Sequence, residues 1–348
     1  RILIVCFSDM LKIVRGLPLL SALRLRFPHA ELAWLAEESN TPLLNRLLTL
    51  DRLIIVKEHC LDSWHGIMQL RNRLQNFAPD VTIDLQNKFG SALAAWISGA
   101  KVRIGFGGKE GQKIGKWLNN NLIIPDAEHI IEQNMQLLQP FGIYGSSISF
   151  DLFECEMDRY SAQKILDRSG LHGNFVIVCV GADLESKLWR EERYAGLTKY
   201  LFEQWNLPSL VVWSNDNEHK IAERIVNNSD SSAILAPQMT LNEFAATARL
   251  STLVLGTDST MLHTAAAIGT RCCGLFGTVN ATKNAPYGEK NRIIQKLLST
   301  HNTKKNIKTH MDAIDVQSVC NTCDEMLAEI IEPPKMKITP KKTAKKAA

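Results

Sequence analysis

The sequence predicts an α/β protein made of two doubly wound parallel-sheet domains facing across a cleft. Short apolar runs alternate with longer segments of helical periodicity, the rhythm of strand–helix–strand units. That rhythm fades around residues 145–158 and then restarts, dividing the 348 residues into two units of similar size. Apolar types make up 45% of the chain and charged types 22%, a balance that excludes disorder and supports two cores.

In the first unit, residues 2–7, 31–36, 53–56, 81–85 and 102–106 read as buried strands bounded by turn or charge signals. Segments 17–27 and 64–77 carry apolar residues at helical spacing. The second unit repeats the pattern, with strands at 175–180, 209–213, 232–235, 252–255 and 271–276. Helical patterns occupy 159–169, 191–204, 218–227, 241–250 and 263–268. The expected organisation is therefore a domain at 1–155, a second at 156–330, and a disordered Lys-rich tail at 331–348. Open parallel sheets bind ligands at the carboxyl ends of their strands, so the cleft is the expected site.

The net charge of +4 divides unevenly: residues 335–348 hold six lysines and no acid, which leaves the rest of the chain at −2. A nearly neutral body does not suit nucleic acid, which needs a basic face on the fold. The tail reads as a solvated end or as a weak tether to anionic lipid, worth about 1 kcal/mol per lysine. No stretch approaches the roughly 18 to 20 apolar residues of a membrane span, and the start is strand-like rather than a signal peptide. It opens on Arg1 rather than Met, as a trimmed start would. The eight cysteines lie mostly in strand-like runs, as free thiols do in a reducing cytoplasm. Cys320 and Cys323 form a lone CxxC without the second pair of a zinc site; His301 and His310 are the nearest histidines, and the pair reads as thiols on a C-terminal helix. In the glycine-rich segment from Gly105 to Gly111 the third glycine falls one place late for a dinucleotide fingerprint.

Two strand-to-helix turns carry the chemistry. After Gly256 come Thr257, Asp258, Ser259 and Thr260 and then a small-residue helix, so free N–H groups and the positive helix end meet the carboxyl edge of the sheet. A phosphate fits there, and an ordinary helix cap explains the same residues equally well. His263, one turn in, faces the same ligand or packs. In the turn from Gly181 to Trp189, Lys187 is placed to neutralise a diphosphate as a point charge. Glu218 is placed to accept bonds from sugar hydroxyls or to sit favourably at a helix N-terminus.

Further segments join these in order: Ser8, Gly16-Leu17-Pro18, Phe27-Pro28-His29-Ala30-Glu31-Leu32, Glu37-Glu38, Asp84-Leu85-Gln86, Arg103-Ile104-Gly105-Phe106, Ser186-Lys187-Leu188-Trp189 and Leu275-Phe276-Gly277. Together they resemble glycosyltransferase family 9, the ADP-heptose:lipopolysaccharide heptosyltransferases, over about residues 2–330. The resemblance implies a GT-B fold of two Rossmann-like domains and an inverting, metal-independent transfer that uses no cofactor. It implies a nucleotide-sugar donor, ADP-heptose, and a lipid-linked or oligosaccharide acceptor of the lipopolysaccharide-core type. The setting it implies is the cytoplasm, with peripheral contact at the inner membrane face. Lys187, with Ser186 beside it, resembles the family lysine at the donor phosphates; Glu218 resembles the acid near the nucleoside and Met239 a residue flanking the base. Asp258, Ser259, Thr260 and His263 match the family's DTGxxH motif.

The departures fall in loops. The family's first loop reads S-x-G-D, its Asp acting as general base, and here Leu11 and Lys12 stand at the Gly and Asp positions. A protonated lysine cannot accept a proton unless burial or neighbouring cations lower its pKa by several units, so the expected base is either such a Lys12 or, with a shifted loop, Asp9 three residues earlier. Val180 replaces a proline, Thr260 the glycine of DTG, and Phe276-Gly277-Thr278-Val279 an FGPT-like turn. Two readings follow: a glycosyltransferase, or a catalytically impaired paralogue that binds nucleotide sugar or acts as a scaffold. A nucleotide-sugar epimerase or other dinucleotide enzyme would need a glycine fingerprint after the first strand, and residues 6–12 contain none.

Overall fold

The computed structural model describes residues 1–348 except 8–9, 87, 112–114, 153, 182–184, 278, 297–306 and 333–348. Ser8, Asp9, Ala182, Thr278, His301 and the Lys-rich tail thus lie outside the described residues.

Twelve strands are present among the described residues. They are β1 (Ile2–Val5), β2 (Leu32–Glu37), β3 (Arg52–Val56), β4 (Val81–Asp84), β5 (Val102–Phe106) and β6 (Asn121–Ile123), then β7 (Val176–Cys179), β8 (Ser209–Val212), β9 (Ala233–Leu235), β10 (Leu253–Thr257), β11 (Cys272–Phe276) and β12 (Arg292–Gln295). They form two six-stranded sheets, ordered β3-β2-β1-β4-β5-β6 and β12-β11-β10-β7-β8-β9, with every pair parallel. Counted from β7, the second order is the first one again. Both are doubly wound sheets whose strand order reverses between β1 and β4 and between β7 and β10. The fold class read from the sequence is the one observed, and the two switch points fix where the site must lie.

Each sheet is covered on both faces, which is why its inner strands read as continuous apolar runs. On one face of the first sheet Ile13, Leu17 and Leu20 of the helix Met10–Arg26 pack with Ile4, Trp34 and Ile83. On its other face Leu70 and Leu74 of the helix Trp64–Phe77 meet Val5, Leu35 and Ile54. In the second sheet, Tyr194 and Leu201 of the helix Glu191–Trp205 cover one face, together with Cys320 and Cys323 of the helix Val316–Ala328. The CxxC is thus a pair of buried thiols on a helix, and no disulfide joins any of the eight cysteines. No helix is long and apolar enough to cross a membrane among the described residues.

The first helix departs from the sequence expectation. It starts at Met10, seven residues before the expected Leu17, and carries Pro18 in its interior. Proline there removes one backbone bond and is normally read as a break, but twelve residues of this helix are buried and that packing outweighs the lost bond. Gly16 lets the helix lie close on the sheet, since a Cβ there would come 2.7 Å from Leu85 Cδ1 and 3.1 Å from Trp34. The extra turns matter, because they bring Lys12 and Arg15 to the cleft.

Trp34 is fully buried at the centre of this packing and donates its indole N–H to the Cys6 carbonyl at 2.9 Å. Trp34→Ala should therefore destabilise the protein by about 3–5 kcal/mol, read as a fall in the urea midpoint.

Candidate functional site: a cationic cluster between two cavities

The helix Thr260–Ala267 begins at the carboxyl end of β10, with Ser259 as its N-cap; the Ser259 hydroxyl accepts from the Leu262 N–H at 3.4 Å. Capping therefore falls to Ser259, which leaves Asp258 for another task. Its carboxylate is buried and holds three partners. Lys187 Nζ lies 3.0 Å from Oδ2, Arg15 Nη2 3.2 Å from Oδ1, and His263 Nε2 2.9 Å from Oδ1. Lys187 ends the short 3-10 helix Glu185–Lys187 after β7, whereas Arg15 comes from the first half of the chain. The same Arg15 nitrogen donates to the Asn284 carbonyl at 2.9 Å and lies 3.1 Å from His263 Nε2.

Burial alone would raise the Asp258 carboxyl. The His263 bond and the charges of Arg15 and Lys187 outweigh it and hold the group at about 2. Burial drives His263 down to about 4, against the pull of its Asp258 bond. At neutral pH the cluster is thus one carboxylate, two cations and a neutral imidazole, with net charge +1. With the carboxylate ionised, the imidazole Nε2–H is best used toward Asp258.

A cavity of about 260 Å³ lies on one side, lined by Met10, Gly181, Ser214, Glu218, Met239, Ser259 and Thr260 among others. Glu218, half a turn into the helix Asp216–Asn227, accepts from the Ser214 N–H at 2.8 Å and from its hydroxyl at 2.6 Å. Gly181 makes room for it, because a Cβ there would come within 2.3 Å of the Glu218 carboxyl carbon. A second cavity of about 340 Å³ is lined by Lys12, Arg15, Gln86, Lys88, Glu110, Asn134 and Asn284 among others. Lys12 Nζ donates to the Gln86 carbonyl at 3.4 Å, and Glu110 pairs with Lys283 at 2.8 Å. Among the described residues Lys12 and Lys88 face one acid, Glu110, which is itself paired with Lys283, so this lining is electropositive; the charge of Arg15 is shared with Asp258. The first helix serves both cavities, with Met10 facing one and Lys12 and Arg15 the other.

Of the residues singled out from sequence, the structure brings Lys187, Asp258 and His263 into one cluster and Glu218, Met239, Ser259 and Thr260 around one cavity. Lys12 lines the second cavity. Ser186 lines a separate depression with Trp189, Arg190 and Glu191. Asp9 lies outside the described residues. His263 is buried against Asp258 rather than lining a cavity. Arg15 is the residue sequence reasoning missed. Its only sequence signal is its place one turn after Lys12 on the same helix, and its partner Asp258 is 243 positions away.

Two doubly wound sheets, a cavity at one switch point and a cationic cluster beside it are thus the features that the two halves of the chain bring together. The sequence pattern of glycosyltransferase family 9 (heptosyltransferase) matches residues 67–313, and the chain belongs to that family. Lipopolysaccharide heptosyltransferase 3 of Escherichia coli (strain K12) is 22% identical over 325 residues, covering 90% of this chain and 94% of that protein. A glycosyl transferase family 9 structure from Veillonella parvula DSM 2008 has the same fold, with TM-score 0.83 at 20% identity over 94% of this chain and 97% of that one. So does the E. coli heptosyltransferase WaaC with ADP, with TM-score 0.73 at 17% identity over 94% and 98%.

The buried neutral His263 sets a pH dependence. Its folded-state value near 4 lies below the ordinary 6.5, so between those values the unfolded chain binds the extra proton and stability falls as pH is lowered. The loss is of order 3 kcal/mol across that window, and Asp258 adds a further loss as pH falls from its ordinary value of 3.8 through about 2. Thermal midpoints at pH 7, 5.5 and 4 should decline for the native chain and decline less for His263→Gln.

Proposed function

We propose that the protein is an inverting, metal-independent glycosyltransferase that moves heptose from ADP-heptose to a lipid-linked or oligosaccharide acceptor of the lipopolysaccharide-core type. The observation that carries this reading is the convergence of Lys187 and Arg15 on Asp258 at the seam between the two cavities. The E. coli relative is solved with ADP, and the cavity around Glu218 and Met239 is of a size to take a nucleoside. Its diphosphate would then lie against Lys187 and the first N–H groups of the helix Thr260–Ala267.

In this reading a departing diphosphate gains negative charge as the anomeric bond breaks. The Lys187 ammonium and the helix N-terminus are already in place to stabilise it. Asp258 positions both cations, and His263 positions Asp258. The acceptor enters from the cavity of Lys12, Lys88 and Gln86, whose charge suits an anionic glycan. Because the first helix lies between the two cavities, the acceptor meets the anomeric carbon on the face away from the diphosphate, which inverts it. The acceptor hydroxyl's proton goes to Asp9, three residues before Lys12 of the acceptor cavity.

Lys12 favours a second reading, an impaired paralogue that binds nucleotide sugar without turnover, because a cation faces the cavity where the family pattern has its base. Transfer from ADP-heptose to a lipopolysaccharide-core acceptor, measured beside calorimetric binding of ADP, separates the two. In the first reading the native chain turns over, Lys187→Ala lowers the rate about a hundredfold, and Asp9→Asn does so with ADP binding intact. Binding with no turnover, and a sharp gain on combining Leu11→Gly with Lys12→Asp, establishes the second.

A further inference from the structure

Three of the seven tryptophans stand in solvent, and all three belong to the first half of the chain. Trp64, Trp96 and Trp117 are 76%, 54% and 88% exposed, whereas Trp34, Trp189, Trp205 and Trp213 are buried. The helix Phe89–Ile97, FGSALAAWI, contains no charged residue. Its inner face is buried through Ala92, Ala94, Ala95 and Ile97, with half-buried Leu93 packed against the same core, while Phe89 and Trp96 form an exposed apolar stripe at i and i+7. Trp117 lies on the short helix Gly115–Leu118, which packs against the stripe's helix. Trp64 opens the helix Trp64–Phe77, which also packs against the stripe's helix.

The same region carries concentrated positive charge. Residues 64–118 hold eight basic and three acidic side chains, five net positive, although residues 1–334 together sum to −2. Asp84 is buried and Glu110 pairs with Lys283. Lys88 immediately precedes the stripe, Lys101 follows it, and Lys116 precedes Trp117.

We infer that this face, formed by the helix Phe89–Ile97 and its neighbour Gly115–Leu118, docks on an anionic lipid surface. Aromatic rings at headgroup depth ringed by lysines are what such a surface takes up, through apolar burial and attraction to its phosphates. Charge selects this occupant over a second copy of the chain, because a two-fold contact would press two equally positive faces together. Lys88 both caps the stripe's helix and lines the electropositive cavity. On the proposed reading of that cavity, docking would bring its mouth to the bilayer, where a lipid-linked acceptor is held; lipid binding itself does not depend on that reading.

The test is co-sedimentation of the full chain with vesicles of phosphatidylcholine containing 30 mol% phosphatidylglycerol (roughly the charge of an anionic leaflet), with oligomeric state followed by analytical ultracentrifugation. Native protein should pellet with these vesicles, release at high salt, and lose tryptophan fluorescence to headgroup-quencher lipid. Combining Phe89→Ser, Trp96→Ser and Trp117→Ser should weaken binding at least tenfold, with unchanged far-ultraviolet circular dichroism and thermal midpoint. Lys101→Glu with Lys116→Glu, the lysines after the stripe and before Trp117, should also weaken it severalfold and keeps the test decisive if the apolar variant folds poorly. Replacing the six tail lysines by Gln should cost much less. Unchanged binding by both surface variants, loss only with the tail variant, or a native dimer that the apolar variant splits with no vesicle binding in either would each overturn the inference. Because the readout is binding, a chain that transfers no sugar leaves the result intact.

Discussion

The buried carboxylate of Asp258 lies where the two halves of the chain meet, and an ion at that depth must be surrounded by donors. Desolvating a carboxylate costs several kcal/mol, recovered only with good geometry and several bonds. Three chain segments supply them: the first helix through Arg15, the turn after β7 through Lys187, and the helix after β10 through His263. Removing any one leaves a buried charge undercompensated, so the cluster constrains all three segments at once. Weaker contacts run beside it across the same seam. His129 bonds the Ala285 carbonyl at 2.9 Å, Tyr287 donates to Glu132 at 3.1 Å, and Asn242 reaches the Pro42 carbonyl at 3.0 Å.

This placement follows from topology. Both sheets reverse strand order between their first and fourth strands, so in each the loops after those strands splay apart and leave a crevice. In the second sheet these are the turns after β7 and β10, which carry Lys187 and Asp258. In the first sheet they are the turns after β1 and β4, which lead to Lys12 and Gln86. Repetition of one fold thus yields two cavities with carboxyl edges turned toward one seam, and the difference between them lies in side chains alone. One is lined by methionines, a glutamate and small residues, the other by lysines, an arginine and amides.

Most of the scaffold was legible because buried parallel strands read as apolar runs. The two strands missed, β6 and β12, are edge strands of three and four residues that are largely half-exposed, so neither presents a continuous apolar signal. The helix Phe89–Ile97 escaped for the opposite reason: with no charged face it has no amphipathic contrast. The start of the first helix was hidden by Pro18 and Gly16, whose local preferences are overridden by burial. At the site, the two turns of the second sheet were legible because Lys187 and Asp258 each follow a strand at a helix entrance. Arg15 was not, since its role exists only once two distant segments are folded together, and nothing local distinguishes it from a surface arginine.

The lysine at position 12 changes what a base would have to do. A carboxylate at that point would both take the acceptor's proton and repel an anionic acceptor, whereas Lys12, Arg15 and Lys88 together attract one. On the transfer reading, positive charge around a hydroxyl would also lower the cost of the oxyanion that forms as its proton leaves, by the same electrostatics that would stabilise a departing diphosphate across the seam. On the transfer reading, the two functions of a single acidic residue are divided: the cations bind the acceptor and stabilise the developing charge, and the proton is taken up elsewhere. A weaker or more distant proton acceptor then suffices, because the field of the cavity already supplies part of the driving force. The same cations that argue against a base at position 12 therefore favour an acceptor bearing negative charge close to its reacting hydroxyl.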